Sequence, residues 1–226
     1  MAEKPFAGDR KLPMNSLLAK PERRFIDANI HRFPRWIEGY HLTLMTILWS
    51  AGIVAFGYLA RRNIHWLWGS SLMLFLQWFT DSFDGSLGRH RDTGIPKWGY
   101  YMDHLLDYVF AICLAISYAF LFEGSVKYVP ILLAFVYGAL MTSAYLAFAT
   151  TNEFKITYMG IGPTETRLLF IILNALLILF GIKWLEVTLP YVLVLSLLVS
   201  CVVVFRTQKY IWNMDMKDKK ARTKAQ

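Results

Sequence analysis

The chain has 226 residues, 56% of them hydrophobic, and carries a formal net charge of +8. Soluble domains rarely contain several uncharged runs of about 20 residues, whereas the hydrocarbon core of a bilayer, about 30 Å thick, requires them. This composition excludes an ordinary soluble domain and predicts an all-α integral membrane protein.

An amphipathic helix is predicted near the N-terminus, at residues 21–37, behind a flexible tail at residues 1–20. Between Pro21 and Ile37, apolar side chains recur at helical spacing, and charged side chains occupy the other side. A helix with this pattern lies in the membrane interface with its apolar face toward the lipid. We expect it to bend or end near Pro34, because proline lacks a backbone donor and restricts the residue before it.

Six apolar runs follow, and each is a candidate transmembrane helix. They are Thr43–Ala60, Ile64–Thr80, Leu105–Phe122, Tyr128–Asn152, Leu168–Ile182 and Val187–Phe205. The fifth run is short unless it extends back to Pro163. The sequence therefore predicts one six-helix domain at residues 38–212, followed by a basic, disordered cytoplasmic tail at residues 213–226.

The basic residues are concentrated on one side of this predicted topology. Of the 24 lysines and arginines, only four fall in the loops of the other side: Arg61, Arg62, Lys127 and Lys183. Cytoplasmic loops are enriched in lysine and arginine, so we expect both termini in the cytoplasm. The positive charge then serves orientation and contact with anionic membrane lipids, and nucleic acid is not expected as a partner.

Four aspartates stand at the cytoplasmic ends of the second and third predicted spans, where a carboxylate near hydrocarbon is costly. Asp81 and Asp84 are three residues apart, and Asp103 and Asp107 are four residues apart. On a helix, either spacing places both side chains on one face. The connection between the pairs is rich in glycine, so we expect the two helices to lie side by side with their carboxylates facing each other.

Four like charges at one site repel each other, and a divalent cation is the simplest remedy. Carboxylate oxygens are hard ligands that suit Mg²⁺, Mn²⁺ or Ca²⁺ better than zinc. Four carboxylates can hold two such ions, and two-metal sites stabilise the charge that develops in phosphoryl transfer.

Gly85 and Gly88 would let a nucleotide approach the backbone, and Arg89 offers a planar fork for phosphate. The alternative is a set of solvated residues at span ends, which is typical of an isolated Asp-x-x-Asp pair.

The same residues resemble the signature of the CDP-alcohol phosphotransferases. That signature runs Asp, two residues, Asp-Gly, two residues, Ala-Arg, eight or nine residues, Gly, three residues, Asp, three residues, Asp. This chain matches it at Asp81, Asp84, Gly85, Gly88, Arg89, Gly99, Asp103 and Asp107, with Gly88 in the position where alanine is usual. The six predicted spans and the helix before them extend the resemblance to most of the chain.

The resemblance implies an enzyme that transfers a substituted phosphate from a CDP-alcohol to a second alcohol and releases CMP, mostly in phospholipid synthesis. By the motif, Mg²⁺ or Mn²⁺ would be bound by Asp81, Asp84, Asp103 and Asp107. The nucleotide pocket would be shaped by Asp84, Gly85, Gly88, Arg89 and Gly99. Asp107 would also accept the proton of the attacking hydroxyl, since a carboxylate beside a metal can act as a general base. Homodimers are common in this family, so a homodimer is expected.

Two further features resemble the choline and ethanolamine phosphotransferase branch, whose members use diacylglycerol as the acceptor. His104 follows the third aspartate directly, and the segment GIGPTETR places Glu165 before the fifth span. In that branch, a histidine and a glutamate at the matching positions help to activate the acceptor hydroxyl. The alternative is that His104 packs at the interface and Glu165 begins a helix, where an acid complements the helix dipole.

A second version of the function has CDP-diacylglycerol as the donor to a small polar alcohol such as glycerol phosphate, serine or inositol. A phosphate-bearing acceptor would need an extra basic pocket. Lys155, Arg167 and Arg206 could form one, although the same residues are also typical of a positively charged cytoplasmic face.

A function of another class, divalent-cation transport, would use the same carboxylates. A transporter also needs polar residues on several helices along a path through the bilayer. Gln77, Asn174 and His65 are the obvious buried candidates, and they form no line in the sequence. The sequence therefore favours the enzyme over the transporter.

Overall fold

The structure is a computed structural model that describes residues 17–151 and 162–224. Within those two ranges it contains helices and no strands, which confirms the predicted all-α class. The α-helices are α1 Ala19–Asn29, α2 Gly39–Ala60, α3 Leu67–Arg91, α4 Pro96–Ala119, α5 Val129–Thr151, α6 Pro163–Phe180 and α7 Lys183–Lys224. The first 16 residues of the predicted tail, the predicted span end at Asn152, and Lys155 lie outside the described residues.

Five helices in the described part of the chain are long and apolar enough to cross a membrane: α2, α4, α5 with the turn before it, α6 and α7. The chain is thus a multi-pass integral membrane protein. Helix α3 contains most of the predicted second span Ile64–Thr80, but it is not apolar enough over its length to count as a sixth spanning helix. Its first half is apolar, but its second half carries Asp81, Asp84 and the basic residues 89–91. A total of six spans therefore stays a prediction.

The N-terminal helix is shorter than the segment predicted at residues 21–37. A 3₁₀ turn extends α1 as far as Arg32, and Phe33 is then extended, with φ −67° and ψ 132°. The ring of Pro34 disfavours helical geometry in the preceding residue, so the chain leaves the helix where the sequence predicted a bend or an end.

The apolar face of α1 packs against protein. Ile26 and Ile30 are buried in a small core together with Leu42, Phe83 and Leu87 of α2 and α3. The guanidinium of Arg91, at the end of α3, donates to the carbonyl oxygens of Phe33 at 2.8 Å and Pro34 at 3.0 Å. Helix α1 and the segment after it are therefore fixed at the end of α3 that carries the aspartates.

The main apolar core lies between α2, α3, α4 and α6, with the start of α7. Helix α2 packs against both α3 and α4, whereas α3 and α4 have few direct contacts with each other. Inside this core the side-chain amide of Asn174 accepts from the Tyr118 hydroxyl at 2.7 Å and donates to the Ser71 hydroxyl at 3.0 Å. Asn174 therefore ties α3, α4 and α6 together, while His65, the polar candidate of the α2–α3 connection, is exposed.

Helix α7 is 42 residues long, which corresponds to about 60 Å, roughly twice the thickness of the bilayer core. The prediction of a disordered tail at residues 213–226 is wrong for residues 213–224, because α7 continues to Lys224. Opposite charges stand four residues apart at Asp215 and Lys219 and at Asp218 and Arg222. Such pairs stabilise a helix, and elongating one that already exists avoids the cost of nucleation.

Candidate active site

The structure brings three of the four aspartates together. Asp81 of α3 and Asp103 and Asp107 of α4 each offer a carboxylate oxygen, and these oxygens lie within 4.8 Å of one another. All three side chains are partly buried. Because the donors are hard carboxylate oxygens from two helices, the residues fit Mg²⁺ or Mn²⁺, the ions that the motif implies.

Two further polar side chains join this aspartate cluster of Asp81, Asp103 and Asp107. Arg167 of α6 places its Nη2 at 2.9 Å from Asp81 Oδ2 and 3.2 Å from Asp107 Oδ1. Gln77, which is fully buried one turn before Asp81, donates from Nε2 to Asp107 Oδ1 at 3.1 Å. Asp107 therefore receives donors from two neighbouring helices, and these contacts fix the orientation of its carboxylate.

Asp84 is held by α2. The Thr43 hydroxyl donates to Asp84 Oδ2 at 2.7 Å, and the backbone N–H of Gly85 donates to Asp84 Oδ1. Helices α2 and α3 can approach this closely because Gly39 has no side chain, and a Cβ there would overlap the carbonyl oxygen of Asp84. Asp84 is not one of the three clustered carboxylates, so a two-ion site that uses all four aspartates stays a prediction.

The turn between α3 and α4 requires small residues. Asp92 has left-handed geometry, with φ 55° and ψ 31°, and ends α3. The N–H of Thr93 then donates to the carbonyl of Gly88 at 3.1 Å. A Cβ on Gly88 would lie 3.0 Å from the Cα of Gly94, which is tighter than ordinary van der Waals contact. This packing accounts for the glycine at the position where the signature has alanine.

Arg89 is exposed and lines a cavity of about 460 Å³ between α1 and the end of α3. The other polar residues of the lining are Arg23, Asp27, His31, Ser86 and His90. A Cβ on Gly85 would lie 3.2 Å from Nη1 of Arg89, whereas around Gly99 the described residues leave open space. The guanidinium of the exposed Arg89 can move aside, so packing does not explain the glycine at position 85 or at position 99. A nucleotide-binding role for these residues stays a prediction.

His104 lies beside the aspartate cluster on α4. Its Nδ1 is 3.6 Å from Asp103 Oδ2 and 2.8 Å from the carbonyl oxygen of Tyr100. A carbonyl can only accept a hydrogen bond, so Nδ1 donates, and in the neutral ring the lone pair is on Nε2. The ring also packs against Tyr100 and Tyr145, with centroid distances of 4.3 Å and 5.6 Å. His104 is therefore both packed and adjacent to an aspartate.

Glu165 is buried at the start of α6. Its Oε2 accepts from the N–H of Gly162 at 3.0 Å, and its Oε1 accepts from the N–H of Leu18 at 2.7 Å. These bonds satisfy backbone donors that a helix start leaves without partners. They give Glu165 the helix-start role that the sequence offered as the alternative, and a role toward an acceptor alcohol stays a prediction.

Sequence reasoning did not place Arg167 or Thr43 beside the aspartates. Arg167 stands in the first turns of α6, after Pro163 at the helix start, and helical side chains tilt toward the N-terminus. From that position we could have predicted that Arg167 lies at the same end of the bundle as the aspartates. Thr43 offers no comparable signal, because a threonine in an apolar helix is ordinary.

Comparison with known proteins shows a family match over most of the chain. A model of the CDP-alcohol phosphatidyltransferase family matches residues 40–210. The matched region begins in α2 and ends in α7, and it contains the four aspartates, Arg167 and Thr43. No curated protein and no solved structure gives a significant match.

Proposed function

Because the chain belongs to the CDP-alcohol phosphatidyltransferase family, we propose that it transfers a substituted phosphate from a CDP-alcohol to a second alcohol in phospholipid synthesis and releases CMP. The observation that carries the proposal is the approach of Asp81, Asp103 and Asp107 to within 4.8 Å at one end of the helix bundle. Carboxylates near a membrane are costly, and phosphoryl transfer gives this cluster a use.

We propose that the cofactor is Mg²⁺ or Mn²⁺ and that Asp81, Asp84, Asp103 and Asp107 hold it as a two-ion site. When bound, divalent ions neutralise phosphate oxygens and stabilise the charge that develops on the leaving group. The three clustered carboxylates support this assignment. Asp84 lies three residues after Asp81 on the same helix, and its bond to Thr43 orients its carboxylate.

In the proposed reaction, the acceptor oxygen forms a bond to the phosphorus that carries the alcohol of the donor. The bond from that phosphorus to the CMP oxygen breaks, and CMP leaves with the electron pair. The hydroxyl proton passes to Asp107. Gln77 donates to Oδ1 of that carboxylate from the neighbouring helix, so we assign Oδ2 as the oxygen that accepts the proton.

We assign the nucleotide pocket to the motif residues between the two aspartate pairs, namely Asp84, Gly85, Gly88, Arg89 and Gly99. Gly85 is partly buried and has no side chain, so a flat ligand could approach the backbone there. The exposed guanidinium of Arg89 is a planar donor suited to the donor's phosphates.

For the substrates, we propose CDP-choline or CDP-ethanolamine as the donor and diacylglycerol as the acceptor. His104 supports this version, because its ring lies beside Asp103 and is oriented by Tyr100. The alternative is CDP-diacylglycerol as the donor to a small polar alcohol. Arg167 lies at the aspartate cluster, whereas Arg206 is exposed on α7, and no basic acceptor pocket joins them within the described residues.

We further propose that both termini and the aspartate cluster face the cytoplasm, where water-soluble CDP-alcohols are available. The support is the charge distribution, since only Arg61, Arg62, Lys127 and Lys183 fall in the opposite loops. A homodimer is proposed from the family resemblance alone.

A substrate panel tests the function. Purified protein in mixed micelles is given CDP-choline, CDP-ethanolamine or CDP-diacylglycerol, each with its acceptors and with Mg²⁺ or Mn²⁺, and released CMP and new lipid are measured by mass spectrometry. We expect CMP and lipid from CDP-choline or CDP-ethanolamine with diacylglycerol. If CDP-diacylglycerol is the only donor that yields CMP, the alternative substrates are correct. If no donor yields CMP and the protein carries metal into liposomes, the protein is a transporter and the proposed enzyme function is wrong.

A further inference from the structure

A permanent positive charge lies inside the aspartate cluster. The side chain of Arg167 is only 11% exposed, and its Nη2 is within hydrogen-bond distance of both Asp81 and Asp107. Arginine stays protonated in proteins, so this contact is a charged bridge between α3, α4 and α6. An arginine that served only to orient the chain in the membrane would extend toward water and headgroups, which this one does not.

The start of α6 is constructed in a way that holds this arginine in place. Pro163 occupies the first turn, and the carboxylate of Glu165 caps the backbone of Gly162. The same carboxylate accepts from the backbone of Leu18, which connects the helix start to the N-terminal segment. Arg167 therefore projects from a fixed helix end into the cluster, and its position does not depend on solvent-exposed contacts.

We propose that Arg167 is a built-in counter-ion that holds Asp81 and Asp107 together before a divalent cation binds and then competes with that cation for the same carboxylates. The inference rests on the proposed function in so far as a cation binds there. Without the guanidinium, the clustered carboxylates would repel each other across a few ångströms. A cation at the same oxygens meets a fixed positive charge, and the repulsion raises its dissociation constant.

The displaced guanidinium has a further use under the proposed function. A planar fork of donors matches phosphate oxygens as well as carboxylate oxygens. With a cation held by Asp81 and Asp107, the guanidinium of Arg167 would be free to donate to a phosphate oxygen of a donor bound at the aspartate cluster. The same residue would then serve the site before and after the cation binds.

The first test measures Mn²⁺ binding by the purified full-length protein without any donor, from the electron paramagnetic resonance signal of free Mn²⁺. Arg167→Gln removes the charge and keeps a polar side chain, so it is expected to bind Mn²⁺ about tenfold more tightly than the wild type. Arg167→Lys keeps the charge and is expected to remain close to the wild type. Equal or weaker binding by Arg167→Gln, or equal tightening by both variants, would overturn the proposal.

A second measurement uses only the wild type, in case the Arg167→Gln protein does not fold. Phenylglyoxal modifies accessible arginines, and mass spectrometry quantifies the label on Arg167 with and without saturating Mn²⁺. We expect the label on Arg167 to rise several-fold with Mn²⁺, while the label on the exposed Arg62 stays constant. An unchanged or reduced label on Arg167 would contradict the proposal.

Failure of the counter-ion and failure of the proposed function give different results. Neither measurement uses a CDP-alcohol or detects CMP. A protein that shows both Mn²⁺ effects but releases no CMP would keep the counter-ion and lose the transferase. A protein that releases CMP but shows neither effect would keep the transferase and lose the counter-ion.

Discussion

Asp107 accepts hydrogen bonds from Gln77 and Arg167 through the same oxygen, at 3.1 Å and 3.2 Å. The approach of Asp81, Asp103 and Asp107 could be predicted because the spacing within each aspartate pair is local and places both side chains on one helix face. The partners of Asp107 could not, because Arg167 comes from a helix 60 residues further along the chain. The contact between a carboxylate and a distant arginine depends on how the helices pack, and the local sequence pattern carries no information about that packing.

The first prediction concerns the proton acceptor. Asp107→Asn preserves the size and the hydrogen-bond acceptor of the side chain, but an amide cannot take a proton as a general base. We expect turnover to fall by about 10²- to 10⁴-fold, with little change in donor affinity at saturating Mn²⁺. The measurements are kcat from CMP release and Kd for a labelled donor. Near-normal turnover would exclude Asp107 as the proton acceptor.

The second prediction concerns the residue that orients Asp84. Thr43→Val keeps the shape of the side chain and removes the hydroxyl that donates to Asp84 at 2.7 Å. Because hydrogen bonds to a charged group contribute about 1.5–3 kcal/mol, we expect kcat/KM for the donor to fall about tenfold or more.

Thr46 provides the matched control for Thr43. It is buried on the same helix one turn further on, and among the described residues it has no hydrogen bond to the four aspartates. Thr46→Val makes the same chemical change and should keep kcat/KM within about twofold. A similar loss in both variants would mean that the hydroxyl of Thr43 acts through packing of α2 and not through Asp84.

At the scale of the elements, one carboxylate of the N-terminal helix accepts hydrogen bonds from two other helices. Glu22 of α1 accepts from the indole N–H of Trp78 at 3.2 Å, from the Ser82 hydroxyl at 2.7 Å and from the Thr164 hydroxyl at 2.9 Å. This Glu22 clamp joins α1 to α3 and to the start of α6. The amphipathic pattern predicted the helix but not its partner, because an apolar stripe is the same whether lipid or protein covers it.

The third prediction tests the Glu22 clamp. Glu22→Ala leaves three donors without this acceptor, so we expect the protein to lose about 1–3 kcal/mol of stability and residues 19–29 to exchange amide hydrogens faster. Asp27→Ala on the same helix removes only an exposed pair with Arg23, and it should change stability by less than about 0.5 kcal/mol. Exchange that is equally fast in both variants would argue against the clamp. Hydrogen exchange and thermal unfolding in detergent measure the two quantities.

At the scale of the whole molecule, the hydropathy of the chain predicted the membrane class and most helix positions, because uncharged runs of this length have few other uses. It did not predict that α2 packs against both α3 and α4 while those two have little contact with each other. Helix packing in lipid depends on close-fitting surfaces and not on burial from water, so hydropathy contains little information about it. The extension of α7 to Lys224 was missed for a different reason, since polar helices without an apolar stripe resemble disordered tails.

The fourth prediction concerns the orientation of the chain. In a background without Cys113 and Cys201, the variants Ser125→Cys and Thr223→Cys place single thiols at exposed positions on opposite sides of the predicted topology. A membrane-impermeant maleimide added to intact cells should label the first variant and should label the second only after lysis. The reverse pattern would place the aspartate cluster outside the cytoplasm and contradict the proposed access of CDP-alcohols.

The most direct test of the central claim measures the CMP released per lipid formed, using the best donor and acceptor, with Mg²⁺ or Mn²⁺ and after chelation by EDTA. We predict one CMP per lipid for the wild type, loss of both products after chelation, and recovery of both when the metal is restored. Asp103→Asn should abolish both products at any metal concentration that supports the wild type. Lipid formed without CMP, or turnover that persists in EDTA and in Asp103→Asn, would contradict a metal-dependent CDP-alcohol transferase at this cluster.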